Sequence, residues 1–540
     1  MSSPPGLLLA LGGGLLLGWA TPPAVVPFGE WLVLPALAIW FAIATEGRRP
    51  LLHSYLLGCV HMAWFSWSVR HVMVPAYVAI VVLGGLYYVM ATACVRGAPA
   101  RLRGVAFAFA VAGSFWLRAV MPEIHYPHGQ PCHCLYQWPA VMRVVVLGGE
   151  PLLNGLLAWL AACGWGAWSS WRVAVPSWAG ARSRFAIAAA ALVGCVVVGN
   201  VVVARERASG ASEPPRRPLT VAAVEPGYHP EQLFEQPRSQ WRAWSERMLE
   251  QRMLAPTRAA LGAEQAPDLV VWPESSVNAL VDAAQIEREA ATLLPQRLPA
   301  SDARLLLGAN VRRPAGATPA ALLLRLPDGR VLDYQGKQRL VPGGEFLPLL
   351  SVLPESWSGW VKEQFRQALG TLPECVGGEP RRPMLTAAGT PFGALLCYDN
   401  AFPGPAAVQV AQGARALVVL SNEAWYRGGA ELSQLVAMTV VRACENVVPV
   451  VRCTMDGWSV SVDAAGALSA QLPLSEGGGS ESRMLLARVD PGSGKPPPMQ
   501  WLRQSSGWLS GLLMAVGILA GMRRSRGARD RATGGSQAVS

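Results

Sequence analysis

Apolar residues are spread unevenly along this chain. Before Arg205 they come in long runs, near Gly6–Ala20, Val25–Ala44, Leu52–Ser68, Val74–Cys94, Val105–Val120, Val144–Trp168 and Phe185–Ala204, and one more lies near Gly507–Met522. A bilayer core needs a helix of about 20 apolar residues. The pattern therefore predicts a membrane domain of seven spanning helices in residues 1–204 and an eighth helix in 501–524. No basic residue precedes Gly6, so the first run reads as a retained helix and not a signal peptide.

Between the seventh and eighth runs the pattern changes. Residues 205–218 are rich in charge and proline and read as a linker. From 219 to 500, apolar runs too short for helices alternate with polar stretches of helical spacing. Leu219–Val224, Leu269–Trp272, Leu305–Gly308, Ala416–Leu420, Val447–Cys453 and Trp458–Val462 read as strands, the last two closing the domain. Pro327-Asp328-Gly329-Arg330 is a turn signal that joins Ala321–Leu326 to Val331–Lys337 as a hairpin. Helical stretches lie at Glu231–Leu261, Ala406–Gly413 and Ala430–Asn446. Strands and helices in this order predict an α/β layered sandwich. Ser351–Arg382 reads as irregular, with Trp357, Trp360, Phe365 and Leu369 either packed on the sheet or forming an arm over the bilayer.

Charge gives the orientation. The formal net charge of +11 is carried by arginines in alternate loops: Arg48 and Arg49; Arg96, Arg101 and Arg103; Arg172, Arg182 and Arg184; then the basic tail 525–540. By the positive-inside rule these loops are cytoplasmic, which puts 205–500 on the outer face. The basic balance then reflects topology, and no nucleic-acid partner is expected. Charged residues make up only 15% of the chain, well below a soluble protein's usual share of about a quarter.

Three strand ends carry candidate chemistry. Leu269–Trp272 closes on Pro273 and Glu274. The hairpin ends at Lys337, one of only three lysines among 46 Lys and Arg residues. Phe392–Leu396 ends at Cys397. A carboxylate can take a thiol proton, the thiolate can attack a carbonyl, and an ammonium can face the oxyanion. A free cysteine is more often a small buried hydrophobe, so the argument rests on the three residues together.

In those motifs, Val271-Trp272-Pro273-Glu274, Lys337 with Val341-Pro342-Gly343-Gly344-Glu345-Phe346, Cys397-Tyr398-Asp399 and Ser421-Asn422-Glu423-Ala424-Trp425-Tyr426, the chain resembles the nitrilase (carbon–nitrogen hydrolase) superfamily from about Leu219 to Arg488. With the membrane spans, Trp116-Leu117-Arg118 and Gly149-Glu150-Pro151-Leu152-Leu153-Asn154, it resembles over nearly its whole length the apolipoprotein N-acyltransferases of the bacterial inner membrane. The resemblance implies an αββα nitrilase-like sandwich beside a polytopic α-helical membrane domain. It implies transfer of an acyl chain from a phospholipid donor, through a cysteine thioester, to the amine of a diacylated lipoprotein acceptor. Cys397 would be nucleophile, Glu274 base, Lys337 oxyanion partner and Glu345 a second essential carboxylate, with Tyr398 and Asp399 in support. No cofactor or metal is expected, and the chain is expected to act as a monomer. Asp399 stands where the family usually has glutamate, Phe115 where it usually has an acidic residue, and Trp425-Tyr426-Arg427-Gly428 is off the pattern. The competing readings are a membrane-tethered amidase and an inactive scaffold.

Two cysteine groups need separate mention. His125-Tyr126-Pro127-His128-Gly129-Gln130-Pro131-Cys132-His133-Cys134 could hold a transition metal by ligand type, but a polar loop lining the membrane face of the site is the favoured reading. Cys444 and Cys453 read as buried and inert, and Arg442, Glu445 and Asn446 as structural polar residues. The ten cysteines show no disulfide spacing.

Overall fold

The computed structural model describes all residues except 1–5, 22–27, 173–177, 212–216, 230, 295–296, 327, 351, 370–371, 475–480 and 535–540. Helices occur at all eight apolar runs; the start of the second run and Pro327 of the turn signal lie outside the described residues. Among those described, six helices are long and apolar enough to cross a membrane: Gly29–Glu46, Val74–Gly97, Ala100–Val120, Val145–Arg172, Gly180–Ser209 and Gln500–Arg526. Gly6–Ala20 and Pro50–Phe65 are shorter, at 15 and 16 residues. At 1.5 Å per residue they reach about 24 Å at most, short of a ~30 Å hydrocarbon core.

Thirteen strands are described after the membrane helices: β1 (Leu219–Glu225), β2 (Leu269–Val271), β3 (Leu280–Asp282), β4 (Arg304–Arg313), β5 (Gly316–Arg325), β6 (Arg330–Gly336), β7 (Met384–Leu385), β8 (Pro391–Leu396), β9 (Ala416–Ser421), β10 (Val450–Thr454), β11 (Val460–Val462), β12 (Leu468–Gln471) and β13 (Arg483–Val489). They form two sheets, one in the order β13-β1-β2-β4-β5-β6 with β3 beside β4, the other β12-β11-β10-β9-β8-β7. Side chains alternate along a strand, and β2 and β9 are apolar on both faces. In β2, Leu269 and Val271 point between the sheets, while Val270 and Trp272 pack outward beneath the helices of 241–261. In β9, Ala416, Val418 and Leu420 face the partner sheet, and Leu417 and Val419 face the opposite way. Helix Glu431–Asn446 covers that outer face, and all sixteen of its residues are buried. The result is an αββα sandwich, the layered α/β fold that the sequence pattern predicts.

Three sequence readings are corrected. Ser351–Arg382 is not irregular: Glu355–Leu369 is an α-helix, and Trp357 and Trp360 on it are exposed. Helical spacing of its aromatic residues was obscured by the polar residues between them. The linker begins later than Arg205, because helix Trp178–Ala211 runs through it; the arginines at 205 and 207 are good helix formers. Trp458–Val462 is not the last strand. β12 and β13 follow, and β13 pairs antiparallel with β1 from Leu219↔Val489 to Glu225↔Arg483. β13 carries alternating exposed residues and so lacks the continuous apolar run of the central strands.

The sandwich sits directly on the membrane helices. Helix Val145–Arg172 is broken at Gly148 and Gly149, where Gly149 has φ 67°. A left-handed conformation there favours glycine, and it starts the next helical turn at Glu150. That carboxylate meets Arg442 of the sandwich at 3.3 Å, and Arg442 also meets Glu445 at 3.2 Å. Gln434 donates to the Phe65 carbonyl and accepts from the Gly129 N–H. The polar residues of helix Glu431–Asn446 thus tie the sandwich to the membrane domain.

Candidate active site

Glu274, Lys337 and Cys397 stand at the ends of β2, β6 and β8, and the two sheets bring these ends to one place. Gly308 of β4 lets the Glu274 turn approach: a Cβ there would lie 2.5 Å from the Glu274 Cα. Lys337 leaves β6 with its N–H bonded to the Pro319 carbonyl. Its Nζ donates to Glu274 Oε1 at 2.9 Å and to Glu345 Oε1 at 2.6 Å. Glu345 Oε2 accepts from the Val341 N–H at 2.8 Å, which closes the Val341–Glu345 loop on itself. Glu274 is buried and Lys337 completely so, while Glu345 and Cys397 are partly exposed.

An ammonium between two carboxylates is held charged. Burial alone would lower the Lys337 pKa, but Glu274 and Glu345 outweigh it and hold it well above the ordinary lysine value. Burial pushes the Glu345 carboxyl up in turn, against the pull of Lys337. Nζ has three donors, and two are taken by the carboxylates. The third has no partner among the described residues and can serve an oxyanion.

Cys397 begins the turn after β8 with φ 44°. A non-glycine residue held there costs of order 1–3 kcal/mol of local strain, and the conformation turns the thiol out of the strand at the rim of the sheet. The thiol is not ionised at rest. Burial, then Glu274, push its pKa up to about 11; Lys337 and a hydrogen bond from Ser421 pull the other way and do not prevail. Lys337 lowers the thiol pKa, as its charge predicts, but burial is the larger effect.

Asp399 lies two residues beyond and does a different job. Its carboxylate accepts from the N–H groups of Gln338 and Arg339, at 3.0 and 2.7 Å, and from that of Leu396 at 3.2 Å. It therefore pins the loop after Lys337 to the turn holding Cys397. Burial pushes its pKa up to about 7 against those three donors.

The His125–Cys134 loop closes the membrane side. The Tyr398 hydroxyl donates to the His125 carbonyl at 2.9 Å, and the His125 ring stacks on Tyr398 with centroids 5.6 Å apart. His125 Nε2 donates to the Leu340 carbonyl at 3.1 Å, so this ring also touches the Lys337 loop. Cys132, His133 and Glu150 have ligand atoms within 4.8 Å of one another. Glu150, however, is engaged by both His133 and Arg442, and the Cys134 thiol is bonded to the Pro131 carbonyl. Cys444 and Cys453 are completely buried, and Cys453 donates to the carbonyls of Val224 and Val271.

Arg452 escaped the sequence reading. It is a fully buried arginine on β10, behind Cys397, and donates to Ser421 Oγ at 3.1 Å. The available signal was a charged residue set inside the apolar run Val450–Cys453.

Known proteins resemble this chain over much of its length. A family model described as carbon-nitrogen hydrolase matches residues 232–495. A Gloeobacter violaceus protein named apolipoprotein N-acyltransferase is 28% identical over 505 residues, 85% of this chain and 84% of that one. A Pseudomonas aeruginosa protein of the same name is 27% identical over 553 residues, 95% of this chain and 96% of that one.

Proposed function

We propose that this chain, a carbon–nitrogen hydrolase domain built onto a bundle of apolar helices and homologous along most of its length to proteins named apolipoprotein N-acyltransferase, is itself an N-acyltransferase of bacterial lipoproteins. The observation that carries the chemistry is the Lys337 ammonium held between Glu274 and Glu345 beside the Cys397 thiol.

Cys397 is the nucleophile and Glu274 the base. As the sulfur approaches the ester carbonyl of a phospholipid, its proton passes to Glu274 and the S–C bond forms. The carbonyl oxygen becomes an oxyanion facing the third donor of Lys337. The C–O bond then breaks, Glu274 returns the proton to the departing alkoxide, and a lysophospholipid leaves. The acyl chain stays on Cys397 as a thioester. The α-amine of a diacylglyceryl-cysteine attacks it, Glu274 takes the amine proton, the amide forms, and the thiolate recovers the proton. Glu345 and Asp399 hold the loop that carries Lys337. The cycle is ping-pong, and the enzyme works as a monomer.

The domain boundaries follow this reading: a membrane domain of seven apolar helices ending at Ala211, five of them long enough to span, the sandwich in 219–500, an eighth span in 501–524 and a basic tail. Arginines at alternate ends of successive helices support an inner-membrane location with the sandwich outside the cytoplasm. The runner-up, a membrane-tethered amidase, needs water at the thioester; the apolar helices and the full-length relatives favour a lipid amine. Depleting the protein and weighing the N-terminal peptides of a lipoprotein tests the function. Diacylated N-termini are expected to accumulate, and triacylated ones at the normal level would overturn it.

A further inference from the structure

Lys337, Glu274 and Glu345 approach Cys397 from one side. On the other lies β10, and Arg452 is buried in the middle of it. β9 and β10 run parallel with Ser421 opposite Thr454, and β8 and β9 run parallel with Leu396 opposite Leu420. Cys397 and Ser421 therefore leave adjacent strands at the same level. Arg452 Nη2 donates to Ser421 Oγ at 3.1 Å, and the guanidinium is ion-paired with the fully buried Glu423. Its Nε and Nη1 are buried and have no hydrogen-bond partner among the described residues.

A serine hydroxyl has one hydrogen and two acceptor lone pairs. Arg452 has no acceptor, so it can only donate to Ser421. That fills a lone pair and leaves the Ser421 hydrogen for a different partner. By the register of β8 and β9, the nearest neighbour across the strands for that hydrogen is Cys397, the residue after Leu396 as Ser421 is the residue after Leu420.

We propose that Arg452 is a positioning residue for acyl transfer: it orients the Ser421 hydroxyl to donate to the Cys397 sulfur, so that the thiolate is held from within the sheet as well as from the Lys337 side. The proposal rests on Cys397 being the nucleophile. No proton leaves Ser421 or Arg452 in this arrangement. The thiol proton still goes to Glu274, and the Ser421 hydrogen bond strengthens as charge develops on sulfur. The same bond favours departure of the thiolate when the amine attacks. The other groups facing Cys397 are the charged Glu274, Glu345 and Lys337 and the phenols of Tyr398 and Tyr426.

The test uses the full chain in detergent and follows alkylation of Cys397 by iodoacetamide, read from the mass of its peptide, between pH 7 and 10. Thermal melting reports folding. Ser421→Ala and Arg452→Gln are each expected to slow alkylation about tenfold at a given pH, which is a displacement of the pH–rate line by about one unit. The double variant should be no slower than either single one, and Arg452→Lys should recover part of the rate. Parent-like melting and a parent-like pH–rate line in Ser421→Ala would overturn the proposal. Multiplying effects in the double variant would do the same. If Arg452→Gln does not fold, Ser421→Ala and Arg452→Lys decide the matter by themselves. Acyl transfer that survives full alkylation of Cys397 would instead overturn the nucleophile assignment.

Discussion

The Tyr398 hydroxyl donates to the carbonyl oxygen of His125 across 2.9 Å, joining the residue after Cys397 to a loop of the membrane domain. The strand end that holds Cys397 is thereby registered against the membrane domain. Tyr398→Phe keeps the ring stack on His125 and removes only this bond. A buried hydrogen bond is worth about 0.5–1.5 kcal/mol. The rate of Cys397 acylation should fall roughly three- to tenfold, with melting little changed. A rate equal to the parent's would show that the tie does not position the thiol.

Lys337→Arg keeps the charge and should still abolish turnover. Lys337 presents a compact ammonium with two donors on Glu274 and Glu345 and one to spare. A planar, bulkier guanidinium in the same buried space cannot aim a donor at the oxyanion without displacing a carboxylate. Removal of one oxyanion donor costs about a hundred- to a thousandfold in rate, and at least that loss is expected. Single-turnover acylation followed by intact mass measures it, and near-normal rates would remove Lys337 from the mechanism.

How far the sequence led can be judged residue by residue. Glu274, Lys337 and Cys397 were legible because each closes a short apolar run, and strand ends are where sheets gather side chains. The αββα sandwich was legible for the same reason: strands buried on both faces are continuously apolar. β13 was not, because Met484, Leu486 and Arg488 are exposed and break the run. The helix Glu355–Leu369 was missed because Trp357 and Trp360 face outward and mimic a disordered aromatic segment. Asp399 was placed at the site by its position in the motif, yet its role as a clamp depends on the N–H groups of Gln338 and Arg339, some sixty residues away in sequence. Arg452 could not be paired with Ser421 without the parallel register of β9 and β10.

The pH dependence of Cys397 reactivity follows from its raised pKa. A thiol at about 11 is neutral at pH 7, with a thiolate fraction near one in ten thousand by the tenfold-per-unit rule. Raising the pH increases that fraction, so alkylation by a small neutral reagent should climb about tenfold per unit from pH 7 to 10 with no plateau near neutrality. With Glu274 as the proposed base, acyl transfer should not share that slope. A plateau in alkylation below pH 8 would mean the thiol is ionised at rest.

Metal removal should leave activity unchanged. Burial pushes the Cys132 thiol well above the ordinary range, and Glu150 close by is already engaged by Arg442. Metal ligation needs the thiolate and a free carboxylate. Dialysis of the full chain against a strong chelator, with elemental analysis before and after, is the check. Activity lost on chelation and restored by one added metal would assign the Cys132-His133-Glu150 cluster a role in catalysis.

Cys397 should carry the acyl chain as an isolable thioester. In the proposed cycle its thiol is the acceptor of the first half-reaction, with Glu274 and Lys337 beside it before any lipoprotein binds. Attack on the phospholipid ester releases a lysophospholipid that can diffuse away in the membrane. The thioester then waits, because the Tyr398 and His125 rings and the buried surround of Lys337 leave water little access. With phospholipid and no acceptor, the intact protein should gain one acyl mass, and neutral hydroxylamine should remove it. Cys397→Ala should gain none, whereas Cys444→Ala and Cys453→Ala should acylate like the parent, since both thiols are fully buried away from the rim. Glu274→Gln should acylate slowly, because the thiol remains but its base does not. Addition of a diacylglyceryl-cysteine peptide to the acylated protein should discharge it at a rate independent of fresh phospholipid, which is the ping-pong signature. Uptake of the acyl chain by Cys397→Ala, or modification of lipoproteins by that variant, would place the nucleophile elsewhere.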